Sequence, residues 1–83
     1  MQPYSSVSAF LAHYQTLRQI PASSISDDDR NRLAAMEKLL DILRPEERAA
    51  VASDANDTAT MRHRERAAIH LRRELSSRGV LES

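Results

Sequence analysis

With 83 residues, three aromatic side chains and one glycine, the chain is sized for a single domain and poorly equipped for a sheet. A β protein needs several positive-φ turn residues and a core of aromatic and β-branched side chains, whereas leucine, isoleucine, methionine and alanine suit helix packing. Twelve basic side chains balance twelve acidic ones, so no net charge draws the whole chain to a polyanion, and the absence of cysteine excludes disulfides, thiolate metal sites and thiol nucleophiles.

The expected class is all-α: a small helical bundle of three main helices plus one short helix, in one domain over residues 1–83. The first helix is predicted over about 5–20. Ser5 or Ser6 caps it, and Val7, Phe10, Leu11, Tyr14 and Leu17 recur at the i, i+3, i+4, i+7 spacing of an apolar stripe. Pro21 disfavours helical geometry in the residue before it and ends the element. His13 flanks the stripe as an edge residue.

The second helix is predicted over about 27–43. Ser26 caps it, and Asp27, Asp28 and Asp29 complement the positive end of the helix dipole. Leu33, Met36, Leu39, Leu40, Ile42 and Leu43 cover about half of its circumference, which predicts a central position with two neighbours. Pro45, followed by Glu46 and Glu47, opens a short third helix over about 45–53. The last helix is predicted over about 59–78, capped by Asp57 or Thr58 and closed by Gly79, with Val80 folding back onto Leu75.

Charge is segregated along the chain. Residues 1–60 carry six basic and nine acidic side chains, and residues 61–83 carry six basic and three acidic ones. At about 100° per residue, the last helix places Met61, Ala68, Leu71 and Leu75 on an inner face. Arg62, Arg66, Arg73, His63 and His70 fall on the outer face. Arg64 lies within the inner stripe, so its guanidinium must reach past the core edge, pair with Glu37 or Asp41 of the second helix, or cross to another chain.

The runs LLDILRPEERAAV (39–51) and RHRERAAIHLRREL (62–75) resemble the opening and the arginine-rich closing helix of region 4 in sigma-70-type transcription factors. In that family a helix-turn-helix scaffold separates the two segments; here a short Asp-, Asn- and Thr-rich stretch takes its place. The resemblance implies a transcription-related setting and carries over no DNA-contact residue.

Catalytic and cofactor chemistry is not expected. His63 and His70 are seven residues apart, about 10 Å along a helix, too far to share one metal ion; His70 and Glu74 read as a surface pair. The serines sit at helix starts and in the 21–26 linker, where capping explains them, and one glycine cannot build a phosphate-cradling loop. No apolar run is long enough for a membrane span, and the first residues have no basic and apolar signal pattern. A cytoplasmic protein without membrane partners is expected.

The expected function is therefore a non-catalytic helical protein–protein interaction module in a regulatory or transcription-related setting, binding another protein or a second copy as a homodimer. The candidate interface is Leu39, Ile42, Leu43, Met61 and Arg64. The alternative is nucleic-acid binding through Arg62, Arg66, His70 and Arg73 on the basic face of the C-terminal helix.

Overall fold

Capping groups set the helix starts. The computed structural model describes residues 3–82, so residues 1, 2 and 83 of the expected domain lie outside it. Four helices follow in order: α1 (Val7–Arg18), α2 (Asp27–Leu40), α3 (Pro45–Ala52) and α4 (Thr58–Ser77). Ser6, Ser26 and Asp57 accept from the backbone amides of Ala9, Asp29 and Thr60, which satisfies donors that a helix cannot pair internally. At α3 the proline supplies the first residue, and a Glu47 oxygen accepts from the amide of Arg44 at 3.4 Å. The reciprocal bond of a capping box is missing there because an arginine side chain has no acceptor.

Gly79 adopts φ +71°, and the amides of Gly79 and Val80 donate to the carbonyls of Ser76 (3.2 Å) and Leu75 (2.8 Å). This closes α4 as a Schellman motif, in line with the sequence expectation. α2 is shorter than expected. Arg44 is extended ahead of Pro45, and the amides of Asp41 and Leu43 turn to the i−3 carbonyls of Lys38 and Leu40, so the chain leaves the helix by a tightened turn that contains Ile42.

Phe10, Met36, Leu40, Leu71 and Leu75 are fully buried, and Tyr14, Leu17, Val51 and Ala67 join them in one core. The central element is α4, not α2 as expected, because α4 packs against each of the other three helices. Its length explains this: 20 residues reach past both the α3 contact and the α1–α2 layer. Tyr4 and Leu81 form an isolated parallel bridge, with Tyr4 N–H donating to the Val80 carbonyl (2.7 Å) and Glu82 N–H to the Tyr4 carbonyl (2.8 Å). The Tyr4 ring stands edge-on to Phe10, and its hydroxyl lies 2.7 Å from Nδ1 of His13.

Candidate interaction surface

α3 has no basic residue in its own last turn, so its terminal carbonyls depend on other elements. Arg64 on α4 donates from Nε to the Ala50 carbonyl (3.4 Å) and from Nη2 to those of Ser53 (3.0 Å) and Ala55 (2.9 Å). On α1, Gln15 donates to the Val51 carbonyl and Arg18 to that of Ala52 at 3.1 Å. Two guanidinium groups thus meet the negative end of the α3 dipole. Of the options drawn for Arg64 from sequence, the pairing with Glu37 or Asp41 is overturned: its guanidinium reaches past the core edge to backbone carbonyls of α3 and the following loop. A wheel of α4 alone cannot show that, because the acceptors lie on a neighbouring helix.

The same contacts pin the C-terminal half of α1 against α3. Its N-terminal half faces α4 across a trough, where Ser8, Ala12 and Ala68 are too small to fill the space between the two backbones. Three hollows of about 300, 240 and 270 Å³ adjoin: the first and second share Leu11 and Arg64 as walls, and the second and third share Val7, Ser8 and Ala68. The first is bounded by Ser53, Asp54 and Asn56, the second by Met61 and Glu65, and the third by Ser6, Ile69 and Arg72. The trough therefore runs along α4 from the α3–α4 loop toward Arg72. Met61 and Ile69 are 47% and 64% exposed on its α4 rim.

The outer face of α4 divides differently from the sequence expectation. Arg62, Arg66 and Arg73 are exposed, and no ion pair involves them or Arg72 among the described residues. Of the two histidines, His70 belongs to the α3 side. Nδ1 of His70 lies 3.1 Å from Oε1 of Glu47, which is 3% exposed, whereas Glu74 pairs with Arg78 at 2.5 Å. The expected His70–Glu74 pair is thus replaced by bonds from each residue to another partner. His63 is partly buried, and its Nδ1 has no hydrogen-bond partner. The inner stripe is rotated toward Ala67, which is buried, while Met61 is not; the broad contact with α3 turns α4 that way.

The five residues expected to form one interface do not gather. Leu43 is 8% exposed and belongs to the chain's own core, and Ile42 is 45% exposed in the turn after α2. Leu39 borders a separate hollow with Lys38, Arg78 and Val80. Met61 and Arg64 alone share the trough. Sequence reasoning missed Ile69, the most exposed large apolar residue among the described residues, although its place among arginines at 66, 72 and 73 was a usable signal.

Two ionisable groups are displaced from their ordinary behaviour. Hydrogen bonds from the Thr60 side chain and amide hold the Asp57 carboxyl below the usual range, and Arg64 adds to this. Burial pushes the Tyr14 phenol up; Glu37 acts in the same direction, and Arg18 and Arg48 oppose it. Among the described residues no group of three His, Asp or Glu side chains could hold a metal ion, and no helix is long and apolar enough to cross a membrane.

No family model matches the chain, and neither curated proteins nor solved structures give a significant match.

Proposed function

We propose that this chain is a non-catalytic helical protein–protein interaction module, working in the cytoplasm in a regulatory or transcription-related setting, and that the α1/α4 trough is its binding surface. The supporting observation is the pair of exposed apolar residues, Met61 and Ile69, on the rim of an elongated hollow. A pull-down from native lysate, with and without nuclease, tests the reading. It predicts nuclease-resistant capture of a protein that the Met61→Glu, Ile69→Glu variant no longer binds. Capture indifferent to that variant would defeat it.

A second reading, nucleic-acid binding, draws on the exposed Arg62, Arg66 and Arg73; His70, turned to Glu47, contributes less than expected. It predicts nuclease-sensitive capture and affinity that falls steeply with salt.

A further inference from the structure

We propose that the outer face of α4 docks an acidic segment of a different protein, with one large apolar side chain seated on Ile69 and carboxylates on Arg62, Arg66 and Arg73. The inference rests on the interaction-module reading and adds the partner's chemistry; the stripe adjoins the trough at Ile69 and Arg72.

At about 100° and 1.5 Å per residue, Arg62, Arg66, Ile69 and Arg73 fall within about 60° of one another along about 16 Å of α4. All four are exposed. The positions three and four residues from Ile69 are Glu65, Arg66, Arg72 and Arg73, so guanidinium groups ring the apolar side chain on most sides. The fold gains nothing from this arrangement. Arg62 and Arg66 are like charges at i, i+4, which repel, and neither Arg66 nor Arg73 has an acidic residue three or four positions away. Among the described residues no ion pair involves these arginines or Glu65. A helix face that serves only solvation alternates its signs, whereas this one gathers one sign around an isoleucine.

The surrounding charge does not cancel the stripe. Its exposed acids are Glu65 and, with the start of α3 counted, Glu46, so arginines outnumber carboxylates two to one. Glu47 is buried against His70, Glu74 pairs with Arg78, and Asp57 bonds to Thr60 over the positive end of α4. Asp54 stands beside Arg64 in the first hollow. The positive end of α1, at Ser6 and Val7, borders Ile69 and Arg72 and adds to the same sign. The negative end of α4 lies past Ser77, where Arg78 is the cap residue.

Ile69 decides between anionic partners. A phosphate backbone has no apolar group to set on it, whereas an acidic peptide segment supplies both halves of the contact. Each guanidinium can take a carboxylate in bidentate pairing, and an apolar contact at the centre keeps water from those pairs. The register follows from the helix: carboxylates about 5 Å to one side of the anchor and about 6 Å to the other, opposite Arg66 and Arg73, and a third opposite Arg62.

A second copy does not supply such a segment. Its acidic run, Asp27 to Asp29, opens α2 and offsets the positive end of that helix. Asp27 also pairs with Arg30, and the neighbouring apolar residue, Ile25, is half-buried.

The test is selection on the protein from a displayed library of peptides of about 12 residues, long enough to span the stripe as helix or extended chain, with a central leucine fixed and the other positions randomised. Selected peptides are expected to carry Asp or Glu on both sides of the leucine. The Arg66→Ala, Arg73→Ala variant should bind them about tenfold more weakly, and Ile69→Ser about fivefold more weakly; added salt should weaken binding to the parent. Arg66→Glu, which sets an opposite charge four residues from Arg62, should melt no lower than the parent. A markedly lower melt would assign the stripe to the fold and overturn the proposal. Selection without acidic enrichment would overturn the partner's chemistry, while leaving the interaction-module reading standing where Met61→Glu weakens the binders. Binders indifferent to Met61→Glu and to the arginine variants would overturn both. A mixed-sequence DNA duplex or single-stranded RNA that binds as tightly as the selected peptide, with no loss on Ile69→Ser, would overturn the proposal in favour of nucleic acid, and attachment to vesicles of anionic phospholipid in favour of a lipid surface. Self-association lost both in salt and in Arg66→Glu would overturn the choice of a different protein.

Discussion

Nη2 of Arg64 lies 3.0 Å from the carbonyl oxygen of Ser53 and 2.9 Å from that of Ala55, so one side chain of α4 secures the loop that leads into α4 itself. Arg64→Ala leaves those carbonyls to water or to nothing, while that of Ala50 keeps the Ser53 amide as a donor, and a loss of about 1–3 kcal/mol is expected. Arg64→Lys should recover less than half, since an ammonium cannot span three acceptors as a planar guanidinium does. Urea unfolding gives the magnitudes, and faster amide exchange at Ala55 and Asn56 would locate the effect. Unchanged exchange there would show that the loop holds without Arg64.

Glu47 is a buried carboxylate hydrogen-bonded to His70 and to the amide of Arg44. His70→Ala is expected to destabilise the fold by about 1–3 kcal/mol, because a buried acceptor loses a donor. Adding Glu47→Gln should return part of that loss, as a neutral amide is cheaper to leave underbonded than a charge. A double-mutant cycle in denaturant checks both statements; additive losses would mean the two side chains do not act together.

The displaced ionisations give stability a defined pH dependence. Tyr14, raised by burial, stays protonated in the folded state at pH values where the unfolded chain loses its proton. Its contribution is complete below the unfolded value of about 10 and is lost as pH rises through the higher folded value. Tyr14→Phe should flatten the alkaline limb of thermal unfolding. Asp57 behaves in the opposite sense. Its contribution is present above the unfolded value of about 3.9 and disappears as pH falls through the lower folded one, so Asp57→Asn should flatten the acid limb.

Gly79 sits at φ +71° with open space where a Cβ would stand. Gly79→Ala therefore meets only backbone strain, and a loss of about 1 kcal/mol is expected. Gly79→Asn should cost less, since asparagine tolerates the left-handed region. Thermal melts of the two variants check the ordering, and an alanine variant as stable as the parent would contradict it.

The local signals in the chain determined where helices begin and where α4 ends. Ser6, Ser26, Asp57 and Pro45 mark starts, and Gly79 marks a stop, because capping and positive φ are decided within a few residues. The apolar spacing of the first helix likewise identified Val7, Phe10, Tyr14 and Leu17 as core. Tertiary packing decided the rest. Which helix is central, how far α4 is rotated, and the coupling of Glu47 to His70 depend on residues distant in sequence meeting across helices. So do the α3 carbonyls held by Gln15, Arg18 and Arg64, and the parallel bridge of Tyr4 with Leu81. The trough belongs to the same class: no single helix contains it, and it exists because Ser8, Ala12 and Ala68 leave space between two backbones that other contacts hold apart.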